Sequence, residues 1–358
     1  MKLFRIKKKF KNKKVLITGH NGFKGTWLSL WLFLLGAKVY GISLKNNEKR
    51  NHFNLIKKKI KIKEQNIDIA DNKRLSKYIR NLKPDFVFHL AAQSLVFKSV
   101  QDPLRNWNSN VIGFMNVLIS LNSLKKNCIG IFITSDKCYK NLNKNISYKE
   151  NDELGGIDPY SASKASAEIL FHSFFKTFVN KKNKYLRICS ARAGNVIGGG
   201  DWSEKRLIPD CMKKWLRDQT PLIRNPNATR PWQHVMEAIY GYLVLAVKLS
   251  ENKSLNGQNF NFSSDKIKNA SVKIFLKRLR KKLPNFNWKL ERKNKFYESK
   301  LLQLNNSKAK KILKWEAKLN LSQTIELLTE WYIDFKRNKK IILNTSIKQI
   351  EFYSGLIK

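Results

Sequence analysis

One short turn constrains this 358-residue chain more than any other feature. The apolar run Lys14–Thr18 (KVLIT) reads as a strand. Gly19-His20-Asn21-Gly22-Phe23-Lys24-Gly25 follows at once, and a helix runs on to about Leu35. The first two glycines let the backbone turn tightly and approach a phosphate. The third lets helix and strand pack closely, and the helix N-terminus offers free N–H groups and a positive dipole end to a pyrophosphate. Gly19, Asn21, Gly22, Phe23, Lys24 and Gly25 are therefore the expected cofactor-binding residues of a dinucleotide site. A nucleoside-triphosphate loop is excluded, because it needs Gly, then Lys, then Ser or Thr, and here Lys24 precedes Gly25.

The rest of the first half repeats the strand–helix alternation. Strands are expected at Ala37–Ser43, Ile60–Ile67, Pro84–Leu90, Ile129–Thr134 and Leu186–Ala191. Helices are expected at about 71–82, 103–125 and 160–179. Buried strands in βαβ order imply an α/β fold, a doubly wound Rossmann-type parallel sheet covered on both faces. After Gly194 the pattern loosens, with Gly198-Gly199-Gly200 and four prolines before helices near 233–250, 270–282, 306–313 and 321–337. The expected division is a Rossmann domain at 12–193 to which later segments return, a smaller C-terminal α/β substrate-binding region at 194–338, and a basic tail at 339–358 that is partly ordered at best.

The bulk properties narrow the class further. The longest apolar stretch, Trp27–Leu35, is about half the roughly 20 residues a membrane span needs. The lysine-rich start lacks the apolar core of a secretory signal. A cytoplasmic enzyme with no membrane partner is expected. The formal net charge of +45 points toward nucleic acid, but the lysines are spread along the whole chain among abundant Asn and Ile. A binding patch would concentrate them among aromatics, so no nucleic-acid partner is expected. The four cysteines form no CxxC pair and the five histidines no HxxxH or HxH spacing, which argues for reduced thiols and no metal.

The chemistry-bearing pattern is Tyr160-Ser161-Ala162-Ser163-Lys164. Tyr and Lys four apart share one helical face. A free phenol titrates near 10 and is a poor base at neutral pH; a nearby ammonium favours its ionised form. Ser135 stands at the end of a strand about 25 residues upstream, where it meets the same crevice. Asp136 and Lys137 follow directly. A plain alcohol oxidation needs no carboxyl there. A dehydration does, because departing hydroxide must be protonated, and Asp136 is the expected acid, with a strand-end cap as its other reading.

These motifs, with TGHNGFKGTWLSLWL (18–32), HLAAQSLV (89–96), TSDKCY (134–139), GGIDPYSASK (155–164), ARAGNVIGGGDW (191–202), RLIPD (206–210) and IRNPNATRPWQHV (223–235), resemble the CDP-glucose 4,6-dehydratase family. That family is a branch of the extended short-chain dehydrogenases/reductases, in which the GxxGxxG spacing is usual. The resemblance covers roughly residues 14–335. It implies a lyase that oxidises CDP-glucose at C4 with NAD, eliminates water across C5–C6 and returns the hydride to C6. It assigns Ser135, Asp136, Lys137, Tyr160 and Lys164 to catalysis. To the cofactor it assigns Asp68 and Ile69, beside adenine, and Leu90, Ala91 and Ala92, with Tyr160 and Lys164 again. Gln93, Asn110, Asn195, Arg206, Arg224, Arg230 and Glu298 go to the substrate.

Three points stay open. The second strand ends in Gly41-Ile42-Ser43-Leu44, without the acid that holds a ribose 2′-hydroxyl, so local residues admit NAD or NADP. Asp68 also reads as a loop cap. Related dTDP-glucose dehydratases carry Glu, the base toward C5, where this chain has Lys137; a neutral lysine, water and Tyr160 are the candidates here. Relatives pair through helices of the first domain, so a homodimer or dimer of dimers is expected. A sugar epimerase of the same fold, or a nucleic-acid-binding protein, is the alternative.

Overall fold

The computed structural model describes residues 1–142, 144, 146–267, 270–291 and 302–357. Seven strands form one parallel sheet: β1 (Lys14–Thr18), β2 (Lys38–Ser43), β3 (Lys63–Asn66), β4 (Phe86–His89), β5 (Cys128–Ile133), β6 (Leu186–Ala193) and β7 (Asn259–Phe262). Their spatial order is 7-6-5-4-1-2-3. The chain reverses direction across the sheet between β1 and β4, the switch point where ligands settle at strand C-termini. Every residue of β5 is buried, as a strand covered on both faces requires.

On one face lie α1 (Leu3–Phe10), α2 (Phe23–Leu34) and, from later in the chain, α6 (Val235–Glu251). On the other lie α3 (Asn72–Leu82), α4 (Gly113–Asn122) and α5 (Pro159–Phe174). Helix α2 is apolar nearly all round because both its sides are covered: Trp27, Leu28, Leu30, Trp31 and Leu32 are all buried. Helix α6 packs on β5 and β6, and β7 pairs with β6, so segments beyond 194 complete the first domain. Three short parallel pairs join Val196–Ile197 to Gln233–His234, Leu222–Ile223 to Lys289–Leu290, and Ser147–Tyr148 to Gln303–Leu304. Helices α7 (Val272–Lys282), α8 (Leu321–Arg337) and α9 (Ile342–Gly355) follow.

Several expectations need correction. The third strand is only Lys63–Asn66, all four residues exposed at the sheet edge, where lysine blunts further pairing. The stretch 103–125 is interrupted by a wide π turn at Asn108–Ile112, and the one after Tyr160 ends in another at Phe175–Val179. The basic start is an amphipathic helix whose Phe10 ring lies 4.7 Å from that of Phe86. The expected tail is α9, with Ile342, Leu343, Ile350 and Tyr353 buried. Its one lysine, Lys348, is exposed, and the basic Lys339-Lys340 before it masks the apolar stripe in the sequence.

Glu237 anchors that end. Its carboxylate accepts N–H bonds from Lys318 (2.7 Å) and Leu319 (2.6 Å) and the Tyr353 hydroxyl (2.6 Å). Burial pushes its pKa up from 4.5 to about 7. The folded state thus holds this proton to higher pH than the unfolded chain. The associated stability is complete below about pH 4.5 and is lost as pH rises toward 7, on the order of 3 kcal/mol. We expect Glu237→Gln, which keeps a carbonyl acceptor for both N–H groups, to flatten that decline. Melting temperatures across this pH range check it; parallel curves for both proteins would rule it out.

Candidate active site

The loop after β1 has the geometry of a backbone cradle. Gly19 holds φ +74°, and a Cβ there would lie 2.8 Å from Ala91 N. A Cβ on Gly25 would come within 2.0 Å of Gly19 O, so helix and loop touch backbone to backbone. The Asn21 amide donates to Leu44 O (2.8 Å), tying the loop to the end of β2. No side chain caps the N-terminus of α2, which leaves its first N–H groups for a ligand.

This cradle opens into a cleft of about 1880 Å³ along the strand C-termini. Leu90, Ala91 and Ala92 line it, held by N–H bonds from Leu90 to Thr18 O and from Ala91 to Thr18 Oγ1. Asp68 and Ile69 line it too. The Asp68 carboxylate accepts the Ala70 N–H and pairs with Arg105 at 3.1 Å, a partner the sequence did not suggest.

At the other end, Ser135, Asp136, Lys137 and Tyr160 line the same cleft. The Ser135 hydroxyl donates to Asp136 Oδ1 (2.8 Å) and accepts the Lys137 N–H (3.2 Å). It is also close enough to the Tyr160 phenol to favour its ionised form. Helix α5 starts at Pro159, capped by Asp158, and Ser99 Oγ receives the Tyr160 N–H. Lys164 lies one turn further, buried, its Nζ 6.0 Å from the Tyr160 ring centroid, and does not itself line the cleft. Burial pushes Lys164 down to about 8 and Tyr160 up to about 12. The expected pull of a cation toward phenolate is thus outweighed among the chain's own groups. What opposes burial is the Ser135 hydrogen bond and the charge of Arg206.

Asp136 is seated by Gly194, where a Cβ would lie 1.9 Å from Asp136 Oδ2. Beneath it runs a polar network that sequence reasoning missed. Glu168, one turn after Lys164, accepts bonds from Thr134, Ser190 (3.0 Å) and Arg192 (2.7 Å). Arg192 also donates to the Tyr139 hydroxyl (2.6 Å), which donates to Asn261 (2.8 Å). The pair is fully buried. Burial alone would raise the Glu168 pKa, but the Arg192 charge and the three hydrogen bonds bring it below the usual value. The available signals were an arginine inside an apolar strand and a glutamate on the Tyr160–Lys164 helix face.

The remaining predicted residues separate. Asn195, in the left-handed region at φ +50°, and Arg206, Arg224 and Arg230 line the cleft. Arg206 pairs with Asp201 (3.2 Å) and Arg224 with Glu291 (2.9 Å); Arg230 donates to Thr229 O (3.0 Å). Gln93 lines the cleft with its amide folded onto Leu95. Asn110 is a correction. It is buried off the cleft, and its amide bonds Gln93, Asn106 and Ser163, so it braces the wall rather than facing a substrate. Glu298 lies outside the described residues. Among the described residues no group of three or more His, Cys, Asp or Glu is arranged to hold a metal, and no helix is long and apolar enough to cross a membrane.

Known proteins are similar to this chain in sequence and in fold. The CDP-glucose 4,6-dehydratase of Salmonella typhimurium is 35% identical over 338 residues, spanning 93% of this chain and 94% of that protein. The epimerase Mth375 of Methanothermobacter thermautotrophicus superposes with a TM-score of 0.78 at 21% identity, over 94% of this chain and 96% of that one. The NAD complex of dTDP-glucose 4,6-dehydratase from Bacillus anthracis gives 0.73 at 19% identity, over 90% and 97%. The family model described as GDP-mannose 4,6 dehydratase matches residues 16–328. Its glycine cradle, its Tyr–Lys helix and these matches together make the chain a member of that family, within the extended short-chain dehydrogenases/reductases.

Proposed function

We propose that this chain converts CDP-D-glucose to CDP-4-dehydro-6-deoxy-D-glucose and water with bound NAD. The observation that carries the reading is that Tyr160, Ser135 and Asp136 line the cleft that the glycine cradle opens, with Ser135 hydrogen-bonded to Asp136. A phenol and a carboxyl brought to one hydroxyl suit a reaction that removes one proton and delivers another. The Salmonella relative supplies the nucleotide.

Gly19, Gly22 and the N-terminus of α2 would hold the pyrophosphate of NAD, with Asp68 and Ile69 toward the adenosine end and Lys164 buried behind Tyr160 at the other. When bound, NAD would supply a hydride acceptor at sugar C4 and a hydride donor at C6. The chain's own groups move the protons. Tyr160 removes the C4 hydroxyl proton, helped by the Arg206 charge and the Ser135 hydrogen bond against the cost of burial. The C4 ketone acidifies C5–H. As that proton leaves, Asp136 protonates the departing C6 hydroxyl, and water departs. Lys137 lies beside Asp136 on the same cleft wall and is the candidate for C5. Arg206, Arg224 and Arg230 give the opposite wall guanidinium forks for the diphosphate, and 194–338 chiefly serves the nucleotide sugar.

The chain acts in the cytoplasm as a homodimer. Val100, Leu104, Trp107, Ile169 and Phe178 expose apolar side chains on neighbouring helical segments, the kind of face a second copy covers. A monomer by light scattering at micromolar concentration overturns the dimer. For the activity, purified protein is incubated with CDP-, UDP- and dTDP-glucose. The 4-keto-6-deoxy product, detected by its absorbance in alkali, is expected with CDP-glucose. Product only from another nucleotide corrects the base; product from none overturns the reaction.

A further inference from the structure

Lys24 stands out among the cradle residues. It directly precedes the third loop glycine, and it lines the cleft. Its ammonium turns to Tyr242 on α6, donating to the hydroxyl at 3.4 Å and lying 5.9 Å from the ring centroid. Tyr242 is buried and lies within electrostatic reach of Tyr160. Lys24 itself feels Lys164 and Arg206 as like charges and Asp136 and Asp201 as opposite ones. Asp68, at the far end, is held by Arg105. The Lys24 charge therefore belongs to the reactive end of the cleft. No described carboxylate pairs with it directly; Asp201 is taken by Arg206, and Asp136 faces Ser135.

We propose that Lys24 sets the balance between oxidised and reduced cofactor in this site. The inference rests on the dinucleotide reading above. The nicotinamide ring carries a positive charge when oxidised and none when reduced. A fixed ammonium nearby repels only the oxidised form and so favours hydride uptake from the sugar. Burial lowers the Lys24 pKa only to about 8, so the charge is present at neutral pH. At an effective dielectric near ~20, a like charge within about 12 Å suffices for roughly a tenfold preference. For a two-electron couple, tenfold corresponds to about 30 mV in midpoint potential.

A lysine that merely grips the pyrophosphate makes a different prediction. Both forms carry the same diphosphate, so its loss weakens both equally. The test is direct titration of cofactor-free protein with NAD⁺ and with NADH by calorimetry, for the unaltered chain, Lys24→Met and Lys24→Arg, each first checked by thermal melting. The ratio of the NAD⁺ to the NADH dissociation constant is expected to fall about tenfold in Lys24→Met. In Lys24→Arg, which keeps the charge, it stays within about twofold. An unchanged ratio in Lys24→Met overturns the proposal while leaving dinucleotide binding intact. An unaltered chain that binds neither form defeats the dinucleotide reading, and this inference with it.

Discussion

Asp136→Asn stalls the reaction after the sugar has been oxidised. The amide keeps the Ser135 hydrogen bond that the carboxylate now accepts at 2.8 Å, so the wall of the cleft stays in place. It has no proton to give the C6 hydroxyl. Loss of a positioned general acid typically costs 10²–10⁴-fold, and we expect turnover to fall by roughly that factor. Because C4 oxidation does not need Asp136, reduced cofactor accumulates on mixing with substrate and is read by its near-ultraviolet absorbance. Gly194→Ala reaches the same end by displacement: its methyl would sit 1.9 Å from Asp136 Oδ2 and must push the carboxylate aside. A misplacement of about 1 Å costs on the order of 10²-fold. Full formation of the 4-keto-6-deoxy product by Asp136→Asn would remove Asp136 as the acid of the mechanism.

The second large effect is on stability. Glu168→Ala strips the counter-charge from Arg192, a guanidinium with no access to water. Leaving one member of a buried pair uncompensated costs about 3–5 kcal/mol. Thr134 and Ser190 lose their acceptor as well. We expect the urea midpoint to drop accordingly, and Glu168→Gln to lose less because its carbonyl still accepts. A cost below about 1 kcal/mol in Glu168→Ala would mean that Arg192 finds another partner. The damage reaches catalysis through Tyr139, which ties Arg192 to the segment bearing Ser135 and Asp136.

The sheet was legible because buried parallel strands leave a direct trace. VLI, inside KVLIT, and CIGIFI carry no charged or polar side chain apart from the buried thiol, and each precedes a helical segment. The glycine loop was legible because few residue types fit a turn that touches its own helix. Lys63–Asn66 left a weaker trace, since an exposed edge strand carries no apolar alternation. The last helix was hidden by its charge: Lys339 and Lys340 precede it, while the stripe of Ile342, Ile350 and Tyr353 needs a partner face to be recognised. Within the site, residues on strand ends and on the first turns of α2 and α5 were readable from motif position. Asn110 was not, because its role depends on what surrounds it, and three neighbours already occupy its amide. The Glu168–Arg192 pair joins residues 24 positions apart, and only the folded strand brings them together.

The order of synthesis gives α9 a further importance. Trp31 on α2 is covered in part by Tyr353 of α9, 322 residues later in the chain, with the two rings 5.6 Å apart. Strand β7, which completes the sheet, also emerges late. Until α9 is made, that edge of the tryptophan stays unsheltered on the nascent chain. Deleting α9 returns the protein to that partly uncovered condition.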